Sequence, residues 1–543
     1  MISNEIPTTV LRMFRHLAAR RPDAVQLIYF DTALSVGEVD ELSDALAAAL
    51  ESEGVGAGER IAAVMQNMPH YVITVLAAWK LGAVFVPVNP MLRPAELVHH
   101  LDDCGAIALI ALDALWHDVA ADVIGETKVR TVITVGARSM QRRDDERLFA
   151  AVPVKACPGV LDFDRTVAGY KGSRPAWHDP APDDVAFLCY TSGTTGASKG
   201  AMCSNRNVIA VARATCEVAE IGSHSRVLAL APLFHITGLM VQFVPALISG
   251  CPLVLSFRFH PGVMLDSIRE HRPTFAVGPV TAYIGLLQDP AFTAADFASF
   301  DRVYSGGAPI SPTIARSFEE RTGKQLLGAY GMTEATAATH LTPKGTRPPI
   351  DPNRGALAVG VPIPGASVRI VDDGGHDVPN GTAGEIVLCG PGVIRGYWQH
   401  PDATAETIRD GQLYSGDIGV VDDDGWLFLI DRKKDLINCS GFKVWPREVE
   451  DALYEHPGVM EAAVVGMPDS YRGETVKAFV ALKEPGSVGP TELAEFVRDR
   501  LAAYKRPSEI EILDGLPKTS SGKILRRALR DTPPRSLPSA SLD

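Results

Sequence analysis

A segment rich in hydroxyl groups and glycine, ending in a lysine, is the first part of the chain suited to chemistry. Residues 190–200 read Tyr-Thr-Ser-Gly-Thr-Thr-Gly-Ala-Ser-Lys-Gly. Glycine tolerates positive φ angles, so such a loop can turn several backbone N–H groups toward one anion. No Ser or Thr follows Lys199, and the glycine spacing differs from the G-x-x-x-x-G-K-[ST] loop. The segment therefore predicts a polyphosphate site of another kind.

A second lysine stands in a similar setting near the other end of the chain. Residues 517–523 read Pro-Lys-Thr-Ser-Ser-Gly-Lys, which places Lys523 after a short polar turn. An ammonium group is a compact point charge that suits the stabilisation of anions. The two lysine-bearing segments together predict nucleotide chemistry.

The elements that must position these residues are those of an α/β protein. Between about residues 35 and 300, short apolar runs rich in β-branched residues alternate with longer helical patterns, which predicts βαβ units with parallel sheets. After about residue 355, short strands with Asp-Gly turns predict a small β-rich lobe. A charged joint at 432–435 then precedes an α+β module. The expected division is an N-terminal domain over 1–431, with its β-rich lobe at about 355–431, a hinge at 432–435 and a mobile C-terminal domain over 436–543.

Composition limits the classes of partner. The 543 residues carry a net charge of −13, which disfavours nucleic acid because that binding requires clustered Lys and Arg. Eight cysteines without a C-x-x-C pair predict neither a zinc site nor a disulfide framework, and no targeting segment is evident, so a cytoplasmic protein is expected.

One stretch invites a membrane interpretation. Residues 227–257 contain no Asp, Glu, Lys or Arg, but prolines and glycines interrupt them. A spanning helix would be a long unbroken apolar run. The pattern predicts a buried strand, a helix and another strand, and no membrane span.

Seven sequence blocks, in order, resemble the adenylate-forming superfamily of acyl-CoA synthetases, luciferases and peptide-synthetase adenylation domains. Within that superfamily, the fatty-acyl-CoA synthetases and the aryl-CoA ligases are the branches that this sequence resembles most. The blocks are 190–200, 232–238 (PLFHITG), 305–309 (SGGAP), 330–334 (YGMTE), 414–417 (YSGD), 431–435 (DRKKD) and 517–523 (PKTSSGK). The resemblance implies an enzyme that activates a carboxylic acid with ATP and Mg²⁺ as acyl-AMP, releasing pyrophosphate, and then transfers the acyl group to coenzyme A.

The resemblance also implies roles for individual residues. Those expected to hold ATP or coenzyme A are Thr191, Ser192, Gly193, Thr194, Thr195, Lys199, Gly306, Gly307, Ala308, Pro309, Ala329, Tyr330, Gly331, Met332, Thr333, Asp417, Arg432, Lys434, Ser440, Gly441 and Phe442. Thr191 and Glu334 would hold Mg²⁺ and count among the catalytic residues. Asp417 would accept hydrogen bonds from the ribose hydroxyls.

Two catalytic side chains and a hinge complete the implied site. Lys523 would bridge the acyl carboxylate and the α-phosphate during adenylation, and His235 would gate the passage between the acid pocket and the coenzyme A tunnel. Lys434 marks the hinge about which the C-terminal domain would rotate, and residues 440–442 would then line the tunnel. A Lys/Arg/Asp run at a domain joint is otherwise a solvated surface.

The acid is expected to be hydrophobic, with a fatty acid as the leading candidate. Amino acids are disfavoured because no acidic residue lies near residues 234–237 to pair with an ammonium group. Ala329 replaces a glycine common in relatives, and Gly328 a larger polar residue, which leaves chain length and aromatic acids open. Twenty residues after Lys523 leave no room for a fused carrier, so free coenzyme A is expected. The alternatives are an aryl-CoA ligase, a ligase that loads a separate carrier protein, a luciferase-like oxygenase and a non-catalytic scaffold. A homodimer is compatible with the sequence.

Overall fold

A computed structural model describes residues 8–150, 152, 156–176, 178–191, 198–439, 442–469, 472–519 and 521–530. The strands in these residues are β1 Val25–Tyr29, β2 Thr32–Ser35, β3 Arg60–Val64, β4 Val84–Val88, β5 Ala108–Leu112, β6 Thr131–Val135, β7 Leu161–Asp162, β8 Val185–Tyr190, β9 Gly200–Ser204, β10 Val227–Leu228, β11 Leu253–Leu255, β12 Phe275–Gly278, β13 Arg302–Gly306, β14 Leu326–Met332, β15 Ala337–Leu341, β16 Ala358–Pro362, β17 Ser367–Val371, β18 Gly384–Cys389, β19 Ile408–Arg409, β20 Gln412–Val421, β21 Leu427–Arg432, β22 Ile437–Cys439, β23 Phe442–Val444, β24 Val459–Asp469, β25 Gly473–Leu482 and β26 Glu509–Leu513.

The α-helices in the same residues are α1 Val10–Arg20, α2 Val36–Ser52, α3 Pro69–Lys80, α4 Pro94–Cys104, α5 Asp113–Leu115, α6 Glu146–Phe149, α7 Phe163–Gly169, α8 Asn205–Val218, α9 Val244–Ser249, α10 Pro261–His271, α11 Val280–Gln288, α12 Pro312–Thr322, α13 Pro401–Thr407, α14 Pro446–Tyr454, α15 Pro490–Arg498 and α16 Arg526–Arg530. Short polar residues begin several of them. Ser204 caps α8 by accepting the Asn207 N–H at 3.2 Å, and the Asn207 side chain accepts the Ser204 N–H at 2.9 Å. These reciprocal bonds satisfy N–H groups that have no partner within the helix.

Three sheets organise the described residues. The largest has fourteen strands in the order β17-β18-β20-β21-β16-β15-β14-β13-β12-β10-β11-β1-β2, with β19 beside β20. The second has the order β7-β6-β5-β3-β4-β8-β9, and its strands are parallel except for the antiparallel β8 and β9 pair. The third contains β23-β22-β25-β24 and β26, and forms the centre of what we call the C-terminal module, residues 437–530. The predicted α/β class with parallel sheets is confirmed.

The β-rich region does not have a sheet to itself. β16 pairs with β15 on one side and with β21 on the other, so the antiparallel strands after residue 355 extend the large sheet. One of the predicted Asp-Gly turns, at residues 422–425, joins β20 to β21. Its Gly425 N–H donates to the Asp422 carbonyl at 3.1 Å.

The uncharged stretch at 227–257 forms β10, a helical segment including Gly238–Phe243 and α9, and then β11, as predicted. The two strands are completely buried. No helix within the described part of the chain combines the length and the apolar character that crossing a bilayer requires.

Candidate active site

Most predicted site residues follow the carboxyl ends of strands, where open α/β sheets bind ligands. Thr191 follows β8, Gly306 ends β13, and Glu334 lies in the single helical turn after β14. Residues 307–309 form the connection after β13, residues 329–332 end β14, and Thr333 begins the turn that contains Glu334. Asp417 and Arg432 are register partners on β20 and β21. Ser192, Gly193, Thr194, Thr195, Ser440 and Gly441 lie outside the described residues.

The predicted phosphate loop is anchored at both of its described ends. The Thr191 N–H donates to the Lys199 carbonyl at 3.0 Å, and the Lys199 N–H donates to the Thr191 hydroxyl at 3.4 Å. Tyr190 donates to the Asp103 carboxylate, and the His100 ring stacks on Tyr190 with 4.2 Å between centroids. These contacts fix where the loop leaves and rejoins its sheet.

Lys523 reaches this region from the C-terminal module. A Cβ atom at Gly307, where φ is +83°, would lie 2.6 Å from Lys523 Cε, so the lysine stem needs the absence of a side chain there. The Thr281 hydroxyl donates to the Gly522 carbonyl at 2.9 Å and docks the turn that carries Lys523 against α11. The Lys523 side chain therefore lies against the connection that follows β13.

Burial and then the nearby Arg432 cation lower the pKa of Lys523 to about 8, a value that already includes the opposite effects of Asp417 and Glu334. The same site lowers the pKa of His235 to about 3, through loss of water and then the charge of Lys523. His235 is thus a neutral imidazole at ordinary pH. Its Nδ1 atom accepts the Thr237 N–H at 3.2 Å, which leaves the proton on Nε2.

Asp417 is built as an acceptor of hydrogen bonds. Tyr330 donates its hydroxyl to Asp417 Oδ2 at 2.8 Å, and Arg432 Nε lies 3.6 Å from Oδ1. Burial raises the pKa of the Asp417 carboxyl, while Arg432 and Tyr330 oppose that rise. The carboxylate has capacity for further donors such as a ribose diol.

The oxygen donors at Glu334 and Thr191 suit Mg²⁺. This ion is usually held by one or two carboxylates together with substrate phosphates and water. Among the described residues there is no group of three or more His, Cys, Asp or Glu side chains that could hold a metal alone. A site that leaves most positions to phosphate and water fits that donor set.

The predicted hinge adjoins a group of opposite charges, the hinge ion cluster, made of Asp431, Asp435, Glu450, Arg526 and Arg530. Arg526 lies 2.7 Å from Glu450, 3.4 Å from Asp431 and 3.3 Å from Asp435. Arg530 lies 3.0 Å from Asp435. The cluster joins α14 and α16 of the C-terminal module to the end of β21. Its central residue, Arg526, stands three positions after Lys523 in the sequence.

For Lys434 and Phe442, the structure gives surroundings in the turn after β21 and on the surface of the C-terminal module. Lys434 lies in the turn Lys433–Asp435, where burial and then Arg432 lower its pKa. The Phe442 side chain is 56% exposed and stacks on Tyr504 with 4.8 Å between centroids. In this arrangement of the module, Phe442 is on its solvent-facing side.

Tyr397 is a site residue that the sequence reasoning missed. Its hydroxyl donates to Glu334 Oε1 at 2.7 Å, and the Lys199 ammonium lies 5.4 Å from its ring centroid. It belongs to none of the seven blocks. Its contact with Glu334 joins positions 63 residues apart, so only the folded structure reveals it.

Comparisons with known proteins agree with this geometry. Residues 14–398 match the family model of the AMP-binding enzymes, and residues 448–523 match that of the AMP-binding enzyme C-terminal domain. A long-chain-fatty-acid–CoA ligase of Escherichia coli O6:H1 is 35% identical, over 96% of this chain and 94% of its own. A feruloyl-CoA synthase of an Amycolatopsis species is 36% identical, over 94% of this chain and 96% of its own.

Among solved structures, ATP-bound MatB from Rhodopseudomonas palustris superposes with a TM-score of 0.84 at 28% identity, covering 96% of this chain and 98% of its own. The apo form of MatB gives a TM-score of 0.74. The chain belongs to the AMP-binding enzyme family. The resemblance inferred from the seven blocks is confirmed.

We predict that kcat/KM for acid-dependent pyrophosphate release falls as pH rises through about 8, because Lys523 loses its proton and its positive charge there. His235 contributes no change between about pH 5 and 8, since its pKa is far lower. The Lys523→Arg variant, whose guanidinium stays charged, should be slower but lack the alkaline fall. A wild-type profile that stays flat to about pH 9.5 would contradict this role.

We also predict that Arg526→Met impairs adenylation through the hinge ion cluster. Removing one partner of a buried charged group costs about 3–5 kcal/mol, because the remaining carboxylates lose their counterion. Acid-dependent pyrophosphate release should therefore fall much more than thioester formation from supplied acyl-AMP. Arg500→Met is the matched control, since its partner Glu455 forms an exposed pair at 2.8 Å. Equal losses in the two Arg variants would exclude the cluster's role.

Proposed function

We propose that this protein is an AMP-forming acyl-CoA synthetase whose acid is hydrophobic, with a fatty acid as the leading candidate. ATP and the acid form acyl-AMP and pyrophosphate, and coenzyme A then displaces AMP to give the thioester. The observation that carries the proposal is Lys523, an ammonium brought by the C-terminal module against Gly307 and within the electrostatic reach of His235, Asp417 and Glu334.

Each side chain has a physical part in the first step. Lys523 would lie between the acid carboxylate and the α-phosphate and reduce the repulsion between the two anions as they approach. Lys199 would balance the charge of the leaving pyrophosphate, with Glu334 and Thr191 holding Mg²⁺. Bound Mg²⁺ supplies charge neutralisation. Asp417 would orient the ribose, because its second oxygen is already fixed by Tyr330.

A hydrophobic acid is favoured by the surfaces near Lys523. The candidate pocket at residues 235–241, 278–283, 305–307 and 328–331 contains no Asp, Glu, Lys or Arg. His235 is neutral there. An acid with a charged tail would lose hydration without gaining a counterion. The relatives named as long-chain-fatty-acid ligases support the fatty-acid choice.

An aryl acid is the second candidate. The feruloyl-CoA synthase relative matches this chain as well as the fatty-acid ligases do. A Cβ atom at Gly306 would lie 3.3 Å from the Ala329 methyl group, so β13 and β14 approach closely at the candidate pocket. The methyl group of Ala329 would shorten the candidate pocket or shift the path of the acyl chain, which keeps short and aromatic acids as candidates. Transfer to a carrier protein in place of coenzyme A is the third candidate.

The second step requires a different arrangement of the C-terminal module. Phe442 faces solvent while Lys523 is in place, although the resemblance assigns both to the reaction. We therefore infer a rotation about residues 432–435 that withdraws Lys523 and brings residues 440–442 to the acyl-AMP.

The direct test is pyrophosphate release with ATP and Mg²⁺ over acids from acetate to palmitate, with benzoate, cinnamate and ferulate, each with and without coenzyme A. We expect an optimum among fatty acids and a turnover that depends on coenzyme A. An aryl optimum would select the second candidate, and release that is independent of coenzyme A would select carrier loading. No pyrophosphate from any acid would contradict the proposed function.

The role of Lys523 can be separated by half-reaction. Lys523→Ala should reduce acyl-AMP formation by at least about 100-fold, because one preorganised charge is lost at the reacting centre. Thioester formation from supplied acyl-AMP should stay within about threefold of wild type, since the lysine would be withdrawn in that step. The two rates are measured by rapid quench and chromatography. An equal loss in both would rule out the assigned role.

A further inference from the structure

We propose that Tyr397 is a positioning residue for the polyphosphate and metal part of this site, holding the Glu334 carboxylate toward the Lys199 side of the bound nucleotide. The inference rests on the proposed function. Neither the seven sequence blocks nor the family resemblance assigns this residue a role. Its side chain contacts both Glu334 and Lys199, which the resemblance assigns to the metal and the phosphates.

The first argument is the geometry of the Tyr397 side chain. The residue is 7% exposed, and its hydroxyl donates to Glu334 Oε1 at 2.7 Å. That bond fixes one carboxylate oxygen and leaves the lone pairs of Oε2 for another partner. The Lys199 ammonium lies 5.4 Å from the ring centroid, within the range of a cation–π contact. One aromatic side chain thus sets the separation of an anion and a cation.

The second argument is the backbone around Tyr397. Residues 392–398, the bridging segment, bond to the Glu334 turn at one end: the Ile394 N–H donates to the Glu334 carbonyl at 2.9 Å, and the Thr336 hydroxyl donates to the Gly392 carbonyl at 2.7 Å. Thr336 has φ of 54°, which is unfavourable for a β-branched residue. The bridging segment therefore holds a strained turn in place beside the carboxylate.

The other end of the bridging segment joins the strand that follows the phosphate loop. The Met202 N–H donates to the Gly396 carbonyl at 3.1 Å, and the Trp398 N–H donates to the Gly200 carbonyl at 2.7 Å. The Trp398 indole also donates to the Asp103 carbonyl at 3.2 Å. The bridging segment therefore connects the sheet that carries Lys199 with the sheet that carries Glu334, and Tyr397 lies between these anchors.

A metal held by Glu334 would depend on this support. A hydrogen bond from an outer partner orients a ligating carboxylate, and loss of such a partner costs about 10-fold to 100-fold in metal affinity. Replacing Tyr397 by Phe keeps the ring beside Lys199 and removes only the hydroxyl. The variant should thus weaken the metal-dependent part of nucleotide binding while leaving the metal-independent part intact.

The test is calorimetric titration of ATP into wild type and Tyr397→Phe, without acid, in EDTA and over a series of Mg²⁺ concentrations. We expect the variant to need at least about tenfold more Mg²⁺ for half-maximal enhancement of ATP affinity. Its affinity in EDTA should lie within about twofold of wild type, and its melting temperature should be near wild type. High Mg²⁺ should restore pyrophosphate release.

Two control variants distinguish positioning from general packing. Tyr454→Phe removes another partly buried hydroxyl, one that accepts the Ala462 N–H in the C-terminal module at 3.1 Å. Trp79→Phe removes a buried indole donor outside the bridging segment, one that bonds to the Ala186 carbonyl at 3.1 Å. Both should keep the wild-type Mg²⁺ dependence, whatever their stability. In a Glu334→Gln background, the further change Tyr397→Phe should no longer alter the Mg²⁺ dependence of ATP binding.

The outcomes separate this inference from the proposed function. An unchanged Mg²⁺ dependence in Tyr397→Phe, or an equal loss of ATP affinity in EDTA, overturns the role of Tyr397 even when the wild type makes acyl-CoA. A wild type that neither binds ATP with Mg²⁺ nor releases pyrophosphate with any acid contradicts the proposed function itself.

Discussion

The site depends on holding one ammonium group, that of Lys523, in a partly buried position beside other charges although it belongs to the separate C-terminal module. Desolvation opposes the charged form, and Asp417 and Glu334 offset part of that cost. The module must therefore be docked firmly enough to hold a charge in an unfavourable place. The hinge ion cluster and the bond from Thr281 to the Gly522 carbonyl provide that docking. The glycine at 307 provides the space.

Sequence patterns were sufficient for the class of fold and for selecting residues that the structure brings near one another, such as Lys523, Gly307 and Asp417, whose roles stay predictions. Ordered blocks recur because each supplies a group that the chemistry needs, and alternating apolar runs follow from buried parallel strands. The position of β16 between β15 and β21 was not predictable, because strand pairing between distant segments leaves no local pattern. Tyr397 was missed for the same reason. The role proposed for it depends on the distant residue that its hydroxyl contacts. A Tyr-Trp pair before a helix does not by itself predict a binding or catalytic site.

The two departures from common relatives have a structural reason. A Cβ atom at Gly328 would lie 2.9 Å from Val359 Cα on β16, so the neighbouring strand occupies the space that a larger residue would need. The Ala329 methyl faces Gly306, where the missing side chain accommodates it. These positions form a compensating set: the added carbon on one strand is matched by the absence of carbon on the next. Main-chain atoms and these small side chains therefore determine how closely β13, β14 and β16 approach one another at this point.

The continuity of the fourteen-stranded sheet determines what a movement of the C-terminal module can and cannot alter. Gly306, Ala329, Asp417 and Arg432 all lie on that single sheet, whereas Lys523 does not. A rotation of the module would subtract one positive charge from the reaction chamber and leave the cradle of the nucleotide and acyl group undisturbed. Under the proposed rotation, the acyl-AMP would keep its position while the electrostatic potential around it changed. The sheet would then hold the reactants during the first step and keep the acyl-AMP in place for the second, with only the C-terminal module changing its position.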